Sequence, residues 1–263
     1  MIPKVIHFCW FGGKRKPRLI KDCMASWRRH LPDYEIIEWN EKNSDLSHPF
    51  VKKAYELKKW AFVSDYIRLK ALSYFGGIYL DTDMMVLKPF EGLLDNKCFF
   101  GAEDSEFISC GIIGCLPNNS FIKACSEEYD HLEFEKVENL CEISIPQIIT
   151  QKFRDLYSFR NDFNTAVLVN GVKVYPPLYF YPFPYEDRKE LNDYKKYIRE
   201  TSFAVHLWSS SWVAYSEFYH FDHSQYIKGL QKVFDKVLKD EKIELQYIRK
   251  VALSIKRNLI DKK

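Results

Sequence analysis

Apolar positions change their period several times along the chain, and each change marks an element. Val5 to Trp10 is a short continuous apolar run, the pattern of a buried strand. Gly12-Gly13 makes a turn, and Pro17 opens a helix to about Arg29, with Leu19, Ile20, Cys23, Met24 and Trp27 recurring on one face. The segment EIIEW, Glu35 to Trp39, reads as a second strand. From Pro49 the spacing is helical in two pieces, the second running from about Trp60 to Phe75. Gly76-Gly77 stops it, because glycine accepts the left-handed conformation that ends a helix. Ile78 to Leu80 is then a strand, followed by Asp81-Thr82-Asp83 and a second apolar stretch, Met84 to Leu87. Further strands are predicted at Cys98 to Ala102 and Ile108 to Gly114, and a helix at Asn118 to His131. Strands alternating with helices predict an α/β fold whose sheet is largely parallel in its N-terminal half. Ligands of such sheets sit at the carboxyl ends of the strands, and the turn at Asp81 to Asp83 falls at one such end.

Composition adds little to this picture. A formal net charge of +3 does not indicate nucleic acid, although basic residues gather toward the C-terminus. The seven cysteines are scattered without CxxC spacing, so neither a disulfide framework nor a zinc ribbon is indicated, and a reducing cytoplasm fits best. The N-terminal apolar stretch is too short for a signal sequence, and no window reaches transmembrane length. After Tyr226 the chain is amphipathic: Tyr226, Leu230, Val233 and Val237 form one stripe, and Leu245, Ile248, Ala252, Ile255 and Leu259 another. The expected organisation is a main domain over residues 1–222 and a helical extension over 223–263. The end of that extension is basic. It fits a peripheral contact with an anionic bilayer, and it equally fits a hairpin docked on the main domain.

Asp81 and Asp83 carry the chemistry. In extended chain, alternate side chains share a side, so the two carboxylates can converge while Thr82 points away. Crowded carboxylates retain a proton or recruit a cation. Oxygen ligands favour Mg²⁺ or Mn²⁺, whose shells are completed by water and substrate phosphates. A metal-bound nucleoside diphosphate is the natural guest. D-x-D by itself is short enough to arise by chance, and a solvated turn accounts for it equally well.

Context separates these readings. The run WAFVSDYIRLKALSYFGGIYLDTD, Trp60 to Asp83, together with IPKVIHFCWFGG, Ile2 to Gly13, resembles the DXD-containing sugar transferases of glycosyltransferase family 32. That grouping includes capsular polysaccharide transferases and yeast-type mannosyltransferases, and the large clostridial glucosylating toxins have a similar core. The resemblance implies a GT-A fold, a Rossmann-like nucleotide-sugar domain. It implies that Trp10 stacks on the nucleotide base, a task suited to an indole face. Asp65 and Arg68, three apart on a helix and so on one face, would accept from donor-sugar hydroxyls and donate to sugar or phosphate oxygens. An intrahelical ion pair is the plainer reading of the same two residues. Asp81 would hold the ribose and, through water, the metal; Asp83 would bind the metal directly. In AVHLWSSSW, Ala204 to Trp212, the resemblance implies that His206, Ser211 and Trp212 complete the metal and diphosphate contacts, and an imidazole ligand favours manganese over magnesium.

The chain departs from the family pattern at Cys110-Gly111, where relatives often have asparagine before the glycine. It departs again at Ser144-Ile145-Pro146-Gln147, where many carry Thr-Gly-Pro. The resemblance therefore does not extend to the identity of the sugar.

The reaction implied is transfer of a hexose with retention of configuration, from a uridine or else a guanosine diphosphate sugar, to a saccharide or lipid-linked saccharide in bacterial surface polysaccharide synthesis. Departure of a diphosphate whose charge is stabilised needs no general acid. No carboxylate suited to a double displacement is identifiable by spacing, which favours front-face substitution. Two rival classes compete: a non-catalytic sugar-binding relative, which would be expected to lose the metal carboxylates, and a metal-dependent nucleotidyltransferase or phosphohydrolase, which leaves the Trp10 and Asp65/Arg68 segments unexplained. YPPLYFYPFPY, Tyr175 to Tyr185, reads as an extended segment packed on the core rather than as a sugar platform.

Overall fold

The structure, a computed structural model, describes residues 1–134, 137, 140 and 142–209, and beyond them residues 226, 229–231, 233–234, 248 and 251–252. The chain divides into two compact units, Met1–Ser209 and Ser210–Lys263. The expected boundary at 222/223 and the basic end of the extension lie outside the described residues, although those described in the second unit are helical. Among the described residues no helix is long and apolar enough to cross a membrane.

The first unit is built on a mixed sheet. Strands β1 (Val5–Cys9), β2 (Glu35–Trp39) and β3 (Gly77–Leu80) alternate with helices α1 (Arg18–His30), α2 (Pro49–Glu56) and α3 (Trp60–Phe75). After β3 come β4 (Met84–Val86), β5 (Cys98–Ala102), β6 (Ile108–Cys115), α4 (Ser120–Glu127), α5 (Ile145–Tyr157), β7 (Val167–Val169), β8 (Val172–Tyr175) and β9 (Ala204–His206). The main sheet has the order β2-β1-β3-β6-β5-β8-β7, and β4 pairs separately with β9. Strand β1 is parallel to both of its neighbours, as the alternation predicted, whereas β6 runs antiparallel to β3 and β5. The reversal of direction lies beside the carboxyl end of β3. α5 and the β7–β8 hairpin are elements the periodicity did not yield. The aromatic segment 175–185 packs inward through Phe180, Tyr181 and Phe183, as expected of an extended segment on the core.

The pleat divides the core in two. Ile6 and Phe8, Ile78 and Leu80, Phe99 and Ile112 face one side, where Ile20, Met24 and Trp27 of α1 cover them. Tyr79, Phe100 and Ile113 face the other, under α2 to α5. α1 also fastens β4. Trp27 Nε1 donates to the Met84 carbonyl at 2.7 Å, and the Val86 N–H donates to Ser26 Oγ at 2.9 Å. Two of the backbone groups on this short strand are thus satisfied by side chains rather than by another strand.

The link from α3 to β3 is set by Gly76 and Gly77, both at positive φ, where a Cβ on Gly76 would lie 2.6 Å from Pro117 N and one on Gly77 2.7 Å from Val5 O. Beneath them His7 Nε2 donates to the Gly76 carbonyl at 2.9 Å while Nδ1 accepts from Trp39 Nε1 at 3.1 Å. These partners hold the neutral tautomer, and burial lowers the His7 pKa to about 4. A histidine more acidic folded than unfolded adds stability above its ordinary pKa and loses it as pH falls toward the folded value. Unfolding free energy is therefore expected to be level near pH 7 and to fall by about 3 kcal/mol between pH 6.5 and 4 through this residue. Urea titrations of the parent and of His7→Gln across that range check this; an unchanged slope in the variant would assign the acid sensitivity elsewhere.

Candidate active site

Asp81 follows the last residue of β3, and its backbone N–H donates to the Gly111 carbonyl of β6 at 2.8 Å. The chain then turns. Met84 N–H donates to the Asp81 carbonyl at 3.0 Å, so Asp81-Thr82-Asp83 form a tight turn rather than the extended segment expected, and the alternation of extended chain is not what brings the carboxylates together. The turn does so, and the pairing of β4 with β9 adds the imidazole. Met84 lies opposite His206, which sets His206 beside Asp83.

The three groups lie within 4.8 Å of one another, counted between one possible ligand atom on each. Asp83 Oδ1 is 3.0 Å from His206 Nε2, and the Ser209 N–H donates to Asp83 Oδ2 at 2.8 Å. Burial opposes the Asp83 charge, but His206 and these hydrogen bonds outweigh it and bring its pKa to about 2. For His206, burial opposes the charge and the neighbouring Asp83 more than restores it, which raises its pKa. Two carboxylates and one imidazole fit a divalent ion of the manganese type. The 3.0 Å contact is also near the spacing of neighbouring ligands on one six-coordinate ion, about 3 Å for bonds of about 2.1 Å.

Asp81 is drawn in a second direction. Its Oδ1 lies 3.3 Å from Arg68 NH2 and accepts from Tyr79 OH at 3.1 Å. Arg68 also pairs with Asp65 at 2.9 Å, donates to the Cys110 carbonyl at 2.7 Å and to the Ser64 carbonyl at 3.4 Å, and stacks over the Tyr79 ring at 4.3 Å. Nε and NH1 thus donate to backbone carbonyls, while NH2 faces the two carboxylates as an ion-pair partner. Asp65 is 5% exposed, and burial, only partly offset by Arg68, raises its pKa to about 7. The Ile145 N–H, at the start of α5, also faces this carboxylate. The plainer reading of these two residues, an intrahelical ion pair, is present, and it is buried.

Trp10 caps β1 on the same rim. The parallel register His7 to Tyr79 brings residue 10 level with residue 82. Trp10 is half-buried, its Nε1 donates to the Lys14 carbonyl at 2.7 Å, and Lys16 Nζ lies 5.3 Å from the ring. Gly12 is approached by protein: a Cβ there would sit 2.8 Å from the Trp60 ring. Ser211 and Trp212 lie outside the described residues.

Sequence reasoning missed Tyr79, Ser209, Tyr181 and Gly111. Tyr181 OH accepts from the Ile112 N–H at 3.1 Å, and its ring packs edge-on to His206. A Cβ on Gly111 would stand 3.1 Å from that hydroxyl and 3.3 Å from Asp81 Oδ2, so a bare Cα keeps room for the carboxylate. Tyr79 alone was within reach, since residues 79 and 81 sit two apart.

Residues 17–100 match the family described as glycosyltransferase sugar-binding region containing DXD motif. The chain is 27% identical to human alpha-1,4-N-acetylglucosaminyltransferase over 69% of its own length and 50% of the relative's. It is 28% identical to lactosylceramide 4-alpha-galactosyltransferase of Pongo pygmaeus, over 56% of this chain and 66% of that one. It thus spans about half to two thirds of these two relatives. A solved structure, the PaToxG glycosyltransferase, superposes with a TM-score of 0.50 at 19% identity, covering 60% of this chain and 70% of that one. Residues 17–100 thus match a DXD-motif sugar-binding region and the fold is like that of a solved glycosyltransferase, in line with the resemblance.

Two outcomes are expected. Arg68→Met, which leaves Asp65 and Asp81 without a counter-charge, lowers stability by about 3–5 kcal/mol in urea titrations, and adding Asp65→Asn recovers part of the loss. Asp83→Asn and His206→Ala each weaken Mn²⁺ binding at least about tenfold by electron paramagnetic resonance. Undiminished binding in both would reduce the cluster to a plain ion pair.

Proposed function

We propose that this chain is a metal-dependent, retaining glycosyltransferase that uses a nucleoside-diphosphate hexose, a uridine donor first and GDP-mannose second. The observation that supports it is the convergence of Asp81, Asp83 and His206 at the carboxyl end of β3. The Arg68–Asp65 pair lies against Asp81 in the same place. Manganese suits the mixed oxygen and nitrogen donor set better than magnesium. When bound, the cation supplies positive charge for the diphosphate oxygens. Asp83 is held ionised for that role by His206 and the Ser209 N–H. Arg68 positions Asp81 and donates to a sugar or phosphate oxygen, and Asp65 offers its remaining acceptor capacity to donor-sugar hydroxyls. Trp10 contributes an indole face for the base, with Ser211 and Trp212 assigned to the diphosphate by resemblance.

The two curated relatives are named for α-1,4 transfer of N-acetylglucosamine and galactose. An α product from an α-linked donor means retention. With no nucleophilic carboxylate assigned beneath the sugar, the reading is front-face substitution in which the leaving phosphate takes the acceptor proton. The acceptor class is a saccharide or lipid-linked saccharide, with bacterial surface polysaccharide synthesis as the setting and the cytoplasmic face of the membrane as the place.

Incubation with a panel of nucleotide sugars and Mn²⁺ is expected to show slow donor hydrolysis for one of them, abolished by chelator and by Asp83→Asn. A protein that binds a donor and never cleaves it would be a sugar-binding relative. Cleavage of every nucleoside diphosphate regardless of its sugar would point to a phosphohydrolase.

A further inference from the structure

A polar cavity of about 490 Å³ opens between α5 and the turn joining β5 to β6. One wall is a single face of α5, formed by Gln147, Thr150, Gln151 and Arg154 at helical spacing. The facing wall is the turn at Ser105 to Phe107, and residues 160–162 close the far end. The turn is tied down before any ligand arrives. Asp104 Oδ1 accepts from the N–H groups of Glu106 and Phe107 at 2.7 and 2.8 Å. Arg154 NH2 donates to the Glu106 carbonyl at 3.1 Å, the Phe163 N–H donates to the Ser105 carbonyl at 2.9 Å, and the Ile108 N–H donates to Thr150 Oγ1 at 2.9 Å.

Both walls begin at the active site. α5 starts at Ile145, whose N–H faces Asp65, so Gln147 stands within one helical turn of that carboxylate. Arg154 lies about 10 Å beyond Gln147 at about 1.5 Å per residue. The turn leads into β6 at Ile108, three residues before Gly111, whose carbonyl accepts from the Asp81 N–H at 2.8 Å. Gln151 Nε2 donates to Asp155 at 2.9 Å and leaves its Oε1 to accept; with the amides of Gln147 and Asn161, a guanidinium, a carboxylate and an aromatic edge, the set matches vicinal hydroxyls, which donate and accept at once. Positive and negative side chains are present together, which does not select for an anion. The volume lies within the usual range for small-molecule sites, about 300–1,000 Å³.

We propose that this groove holds an oligosaccharide acceptor, with the reacting sugar at the Gln147 end and further residues of the saccharide running along α5 toward Arg154. The assignment rests on the transferase reading above. It is tested with the parent protein, with Gln151→Ala combined with Asn161→Ala, and with Gln147→Arg, which narrows the groove without touching the bonds that tie the turn. Each is applied to an immobilised array of neutral and acidic oligosaccharides and assayed separately for Mn²⁺-dependent donor hydrolysis. The parent is expected to retain a related set of saccharides. Both variants are expected to lose that retention at least tenfold, while donor hydrolysis by the Gln151→Ala/Asn161→Ala variant, whose substitutions lie further along the groove from Asp65, stays within twofold of the parent. Undiminished retention in both variants would overturn the proposal, as would an absence of retained saccharide in a parent that hydrolyses a donor. A parent that hydrolyses no donor would instead overturn the transferase reading on which the proposal stands.

Discussion

A guanidinium sealed from water has to be answered on nearly every donor, and the first unit is arranged around that demand at Arg68. Its partners come from α3 itself, from β6 through the Cys110 carbonyl, and from the end of β3 through Asp81, while the Tyr79 ring supports it from below. Any shift between α3 and the sheet would strand a buried charge, a change far more costly than the loss of a surface pair. The position of Asp81 is thus fixed by the same interaction that fixes the packing of α3.

Asp83 is fixed independently. Its carboxylate answers to β9 and to Ser209, while its neighbour Met84 is fastened to α1 through Trp27. Adjacent acids are therefore anchored to different parts of the unit, one to the sheet and α3, the other to the small β4–β9 ladder. Their meeting point is where charge can be placed on a ligand. Burial, only partly offset by the one arginine that Asp65 shares with the half-buried Asp81, leaves Asp65 with a raised pKa, and the three carboxylates outnumber the two basic groups, Arg68 and His206, that face them. That deficit favours a divalent cation.

Much of the fold was legible because local pattern and tertiary role agree. The runs at Val5, Glu35 and Ile78 became strands, and Gly76-Gly77 ended α3, since apolar periodicity and left-handed glycines act through neighbours in sequence. The β7–β8 hairpin was missed, because its strands are too short to show a period, although Asn170 and Gly171, both at positive φ, carry the Asn-Gly signal of a tight turn. α5 offered a weaker signal, because its buried Ile145, Ile149 and Phe153 are mixed with polar residues that line the groove.

From the sequence alone came an α/β chain with an acidic pair at a strand end, a buried-looking Asp65/Arg68 face and a resemblance carried by two segments. Tertiary structure decided how those acids are used. That His206 faces Asp83 across the β4–β9 register and that Arg68 donates to the Cys110 carbonyl depend on contacts between residues tens of positions or more apart. Periodicity records which side of an element is buried. It holds no information on which distant polar atom will be waiting there.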